Sequence, residues 1–307
     1  VSGGVMFASS ILLGRALAPV ETVIGQWLLV QQARQSWTSL AELLTVQSPE
    51  LTPTELPRPR AYLHVEKLTI VPPGAKQPTL RNINFSLSPG HAMGVIGPSG
   101  AGKSTLALAL TGVWPPAAGT IRLDGATLAQ YGREALGRHI GYLPQQVHLF
   151  EGTIAENIAR LTMAPDAQKV VEAAKRAGAH EMILKLSMGY DTPVNGAGGG
   201  LSGGQIHRIG LARALYEDLV ILVLDEPNSN LDNDGTMALN ETIRILKTEG
   251  KAVLLMAHRP SVLKECDLLM MLDDGALVAL GPRDEVLRAV TKNHGQLTAV
   301  KTPGGLQ

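Results

Sequence analysis

The octet Gly97–Ser104, GPSGAGKS, constrains what this chain can fold into more than any other stretch. It fits the pattern G-x-x-x-x-G-K-[ST]. The apolar run His91–Ile96 (HAMGVI) precedes it and reads as a buried strand; Thr105–Leu110 reads as the first turns of a helix. Strand, glycine-rich turn and helix start together make a concave anion site and predict an α/β fold. Gly97, Gly100 and Gly102 let backbone N–H groups turn inward. The helix adds its unpaired N–H groups and the positive end of its dipole. Lys103 is placed to reach β- and γ-phosphates, and the Ser104 hydroxyl to sit on Mg²⁺. The candidate nucleotide-binding residues are Gly97, Pro98, Ser99, Gly100, Ala101, Gly102, Lys103, Ser104 and Thr105.

Two further stretches complement that loop. Val220–Leu224 (VILVL) reads as a fully buried parallel strand, and it ends in Asp225-Glu226 before Pro227. Chemistry in open α/β sheets sits at the carboxyl ends of strands. An aspartate there can hold Mg²⁺ through water, and a glutamate one residue later can orient or polarise an attacking water. The second stretch, LSGGQ at Leu201–Gln205, opens a helix that runs on through IHRIGLARAL. Ser202 and the glycines after it make that helix start a second anion site.

At this point the sequence resembles the ATPase domain of ABC transporters, over roughly Leu63 to Ala289 and with the family's motifs in order. Gly97–Ser104 matches the Walker A loop, Gln145 in GYLPQQVHLF the Q-loop glutamine, and Leu201, Ser202, Gly203, Gly204 and Gln205 the signature. Asp225 matches the Walker B aspartate, Glu226 the catalytic glutamate, Asp232 in SNLD the D-loop, and His258 the switch histidine after the strand Ala252–Met256. The resemblance implies a P-loop NTPase core of ABC type: a mixed sheet with flanking helices, an antiparallel β region and a helical subdomain, here Thr153–Tyr190. It implies Glu226, His258 and Gln145 as catalytic residues, ATP and Mg²⁺ as cofactors, and Ser104, Gln145 and Asp225 around the metal. In the family the signature contacts the γ-phosphate held by the opposite subunit. A chain with one set of motifs therefore needs a second ATPase chain, packed head to tail.

Three positions depart from the family pattern. The place of the adenine-stacking aromatic, in LTIVPPGAKQP, holds Val71 or Pro72; Tyr62, the nearest upstream aromatic, is the candidate substitute. Exporters carry a glutamate a few residues before LSGGQ, where Gly196 stands here. His207 stands where a glutamine is common.

Composition bounds the rest. With 27 basic and 27 acidic side chains the net charge is zero, which gives no reason to expect nucleic acid as a partner. Cys266 is the one cysteine, so no intrachain disulfide is expected, in keeping with a cytoplasmic face. Val1–Val46 reads as one long helix, kinked at Pro19 and carrying Arg15 and Glu21, the end of a transmembrane domain cut off upstream. Intramembrane charges would face the bundle or water. The expected organisation is residues 1–46 as this helix, 47–60 as a proline-rich linker, 61–290 as the ATPase domain and 291–307 as a tail, unstructured over Thr302–Gln307.

GRALAPVETVIGQWLLVQQARQSW, GVWPPAAGTIRLDGA, GRHIGYLPQQ and DEPNSNLD look like the type I secretion ATPases of the bacterial alkaline-protease and haemophore exporter group. That likeness implies protein export across the bacterial inner membrane, with the ATPase domain on the cytoplasmic side. It also implies a homodimer, a periplasmic adaptor protein, an outer-membrane channel and a secreted protein substrate. A lipid, peptide or drug exporter is the alternative within transport. A soluble ABC-type ATPase of DNA repair or translation is the alternative outside it.

Overall fold

A computed structural model describes residues 3–46, 56–195, 198–228, 233–257 and 262–289. They form two units, one of N-terminal helices and one containing everything from residue 56 onward.

The first unit is α1 (Gly3–Gly25) and α2 (Trp27–Val46). The interruption falls at Gln26, not at Pro19, which lies inside α1. Helical hydrogen bonding crosses it, since the Gln26 N–H donates to Thr22 O at 3.0 Å and the Val30 N–H to Gln26 O at 3.2 Å. Gly25, among the weakest helix formers, precedes the break. No residue of α1 is buried. Among the described residues, Gly3–Ala41 is one helical stretch long and apolar enough to cross a membrane.

The second unit opens with residues 56–60, where the expected linker instead lies on the core: Pro59 is buried, Leu56 packs against core residues, and Arg58 pairs with Asp218 at 2.7 Å. β1 (Leu63–Ile70) and β2 (Leu80–Leu87) follow, then β3 (Ala92–Ile96), α3 (Lys103–Leu110), β4 (Ala118–Leu123), β5 (Ala126–Thr127), α4 (Leu128–His139) and β6 (Ile140–Leu143). The chain then runs through β7 (Gly152–Thr153), α5 (Ile154–Ile158), α6 (Ala167–Arg176), α7 (His180–Leu184) and β8 (Pro193–Val194), and returns by α8 (Gly203–Leu215). β9 (Ile221–Asp225), α9 (Asn233–Thr248), β10 (Ala252–Met256), β11 (Leu268–Asp273) and β12 (Ala276–Pro282) complete it.

The central sheet has the order β12-β11-β3-β10-β9-β6. Its pairs are parallel except β11 with β12, so it is the mixed sheet expected. β2-β1-β4-β5 form the antiparallel region, and α5, α6 and α7 the helical one. Alternation along the strands sends side chains to two cores. Ile221 and Val223 of β9 join Met93, Val95, α3 and the antiparallel sheet in one. Leu222 and Leu224 join α5, α6, α8 and α9 in the other.

Candidate functional site

The register of the central sheet builds the site. Val95 pairs with Met256, Met256 with Asp225, and Leu143 with Leu224. The carboxyl ends of β3, β10, β9 and β6 therefore stop at one level, where chemistry in such sheets is placed. The phosphate loop leaves β3, Glu226 follows β9 and Gln145 follows β6. His258, which follows Ala257 in the sequence, lies outside the described residues, as do Asp232 and Gly196.

The loop's shape depends on its glycines. Gly102 has φ 99°, and a Cβ there would lie 2.5 Å from Leu80 Cδ2. Gly97 has φ 156°, and a Cβ there would run into Leu272 O. The backbone is thus pressed against the antiparallel sheet on one side and β11 on the other, and only glycine fits. Lys103, 5% exposed, turns its Nζ back to donate to Gly97 O and Pro98 O, each at 2.9 Å. Burial lowers the Lys103 pKa, opposed by the negative charges of Glu226 and Asp225. These two carboxyl groups therefore share an electrostatic neighbourhood with the loop lysine, although 122 positions separate Lys103 from Asp225 in the chain. Ser104 is exposed at the helix start, and Thr105 is buried behind it.

Asp225 closes β9 at 2% exposure. Glu226 adopts φ 49°, a left-handed conformation that costs a non-glycine residue about 1–3 kcal/mol and that the surroundings hold in place. Its N–H donates to Met256 O at 3.0 Å, and its Oε2 accepts from Gln145 Nε2 at 2.9 Å. The structure thus brings together Lys103, Asp225, Glu226 and Gln145. These groups can grip a polyphosphate, hold a divalent cation through hard oxygen ligands and orient a water.

The signature stretch forms a separate feature. Ser202 caps α8: its Oγ accepts from the Gln205 N–H at 3.3 Å, and Gln205 Oε1 accepts from the Ser202 N–H at 2.8 Å. This reciprocal cap leaves Ser202 and Gly203 exposed at the helix start, a surface available to a second chain.

Tyr62 is a correction. Its carbonyl accepts from the Asp124 N–H at 2.8 Å, which puts it beside the β4–β5 turn at the start of β1. The phosphate loop packs instead at Leu80, opposite Ile70 at the far end of that strand. Eight residues of strand separate the two ends, on the order of 20 Å. Val71 and Pro72, directly after Ile70, stand at the loop's end of β1.

Tyr142 was not among the candidates. On β6 it pairs with Val223 of β9, and burial together with Asp225 pushes its phenol up to about 12. The sequence carries no signal of this, because the relation of Tyr142 to Asp225 depends on the pairing of β6 with β9.

Comparison with known proteins relates the chain to one described family. Residues 80–229 match the family model described as ABC transporter. The chain is 48% identical over 291 residues to the type I secretion system ATP-binding protein PrsD of Rhizobium meliloti (strain 1021), covering 95% of this chain and 50% of that protein. It is 37% identical to an ATP-dependent lipid A-core flippase of Alkalilimnicola ehrlichii, covering 93% and 48%. It is 34% identical to the leukotoxin translocation ATP-binding protein LktB of Mannheimia haemolytica, covering 94% and 41%. A solved bacterial Atm1-family ABC exporter with ATP bound superposes with a TM-score of 0.74 at 28% identity, covering 89% of this chain and 48% of that one. The chain spans about half the length of the curated relatives it matches.

Proposed function

The chain carries an ABC transporter ATPase domain, and on that premise we propose that it binds and hydrolyses ATP at the carboxyl ends of β3, β9, β6 and β10 to drive type I protein secretion. The observation that carries this reading is the common level of those strand ends, with Gln145 held on Glu226 beside the buried Lys103. The loop fits a phosphate chain, because Gly97 and Gly102 admit no side chain where the backbone must curve.

Each residue has a physical role in the proposal. Loop N–H groups and Lys103 bind the phosphates. Mg²⁺, held by Ser104, Asp225 and Gln145, would neutralise charge on the β- and γ-phosphate oxygens. Glu226 orients the attacking water and takes up its proton. Its strained backbone and the Gln145 hydrogen bond fix the direction of the carboxylate. His258 and Asp232 complete the set. Ser202 and Gly203 serve the γ-phosphate held by a second copy, so two chains pack head to tail around two nucleotides.

The secretion reading rests on the higher identity to a type I secretion ATP-binding protein, 48%, than to a lipid A-core flippase, 37%. The apolar stretch in α1 and α2 supports anchoring in the bacterial inner membrane with the ATPase domain in the cytoplasm. On this reading residues 1–46 belong to a transmembrane domain and 61–290 to the ATPase domain. A periplasmic adaptor, an outer-membrane channel and a secreted protein are the remaining partners.

Glu226→Gln tests the chemistry. The variant should keep its ATP affinity and lose roughly two orders of magnitude or more in turnover, as expected for loss of a general base. Near-normal turnover would remove Glu226 from the role.

A further inference from the structure

His207 lies five residues beyond Ser202 on α8 and is 2% exposed. Neither ring nitrogen has a hydrogen-bond partner among the described residues. A neutral imidazole carries one donor and one acceptor, so both go unmet, an arrangement that native interiors rarely keep without a reason.

Its surroundings give a reason. The face of α8 that carries His207 packs on the segment following Gln145. A Cβ at Gly210 would sit 2.6 Å from Val147 Cγ1. An open cavity of about 240 Å³ separates Gly203, Ile206 and His207 from Gln146, Val147 and His148. That segment begins at Gln145, which holds Glu226. His207 therefore sits at the joint between the signature helix and the arm that reaches the proposed catalytic carboxylate.

No carboxylate among the described residues lines this cavity, and His148 is its other titratable group. From α6 the buried residues are apolar: Val170, Ala173 and Ala174. Glu156 of α5 is bonded to Thr153. On α8 itself the charged groups are Arg208 and Arg213, and both are cations. A proton on His207 would thus meet a second imidazole across the cavity and no carboxylate lining it.

We propose that His207 is a proton-sensitive latch: neutral, it lets α8 pack against the arm carrying Gln145, and protonated, it forces the two apart and slows hydrolysis. This rests on the ATPase reading above.

The direction follows from burial, which holds the imidazole below its ordinary value. Between that lowered value and the ordinary one near about 6.5, the opened state binds more protons than the packed state. Packing is therefore complete above the window and weakens as pH falls through it.

The test uses the full 307-residue chain in detergent, beside His207→Gln, which stays polar and cannot titrate. Amide exchange over 203–210, corrected for intrinsic rates, and ATP turnover are followed from pH 8 to 5. For the unaltered chain, exchange should rise and turnover fall by up to about tenfold per pH unit below the ordinary imidazole value, the limit for one proton. His207→Gln should lack that step. Coincident acid limbs in the two proteins would overturn the latch. If the variant fails to fold, the unaltered chain decides alone: a His207 imidazole that titrates at its ordinary value, with exchange over 203–210 independent of pH, overturns it equally. Exchange reads the latch whether or not ATP is turned over, so absent turnover counts against the ATPase reading and pH-independent exchange against the latch.

Discussion

At the scale of single residues, the divide between Tyr62 and Lys103 is instructive. Lys103 is fixed by a local pattern, and the loop carries it to where Asp225 and Glu226 act on its charge. Tyr62 is the nearest aromatic upstream of the usual stacking position, and proximity in sequence does not say which end of a strand a residue occupies. Tyr62→Ala should therefore leave the ATP dissociation constant unchanged within about twofold. A stacked ring would instead contribute about 1–3 kcal/mol, a loss of roughly fivefold or more. Isothermal titration with ATP and with GTP checks this, and a large loss confined to ATP would return Tyr62 to the base. Residues identified by spacing could be read from the sequence. Tyr142 could not, because its relation to Asp225 depends on the pairing of β6 with β9.

Among elements, a buried polar knot at Asn157 helps to hold the joint between the helical region and the sheet. Asn157, fully buried, donates from Nδ2 to Phe150 O at 2.9 Å and to Thr153 O at 3.0 Å. Its Oδ1 accepts from the Phe150 N–H at 2.8 Å and from Arg213 Nη2 at 2.7 Å. Arg213, on α8, also donates from Nη1 to His148 O at 2.9 Å and lies over the Phe150 ring at 5.2 Å. The knot ties the arm after Gln145 to α5 and α8. Asn157→Ala would strand the Phe150 peptide groups and part of the guanidinium, a loss of roughly 2–4 kcal/mol. For a domain of this size that lowers Tm by about 5–15 °C, measurable by calorimetry; a shift under about 2 °C would show that the knot does not hold the joint. The strands and the phosphate-loop helix were legible because apolar runs and glycines have local causes. The break at Gln26 and the docking of residues 56–60 on the core were not. The first departs from the proline rule, and the second depends on Arg58 meeting Asp218, 160 positions away in the chain.

For the molecule as a whole, the central claim is that the site is shared between copies. On the proposal, Lys103 and Glu226 belong to the site of one chain, while the capped, exposed helix start at Ser202 and Gly203 serves another. Substituting Ser202 by aspartate tests this cleanly. Aspartate caps a helix as well as serine does, so α8 is kept, while its carboxylate repels the partner's γ-phosphate. Lys103→Ala removes the phosphate grip on the other side. Each variant alone should hydrolyse ATP at no more than a few per cent of the unaltered rate, about the loss expected for a lost catalytic contact. The most direct measurement is ATP turnover of the two variants mixed in equal amounts. The account predicts a rate well above that of either variant alone, because each mixed pair regains one site with an intact loop and an intact signature. A mixture no faster than its components would contradict the shared site.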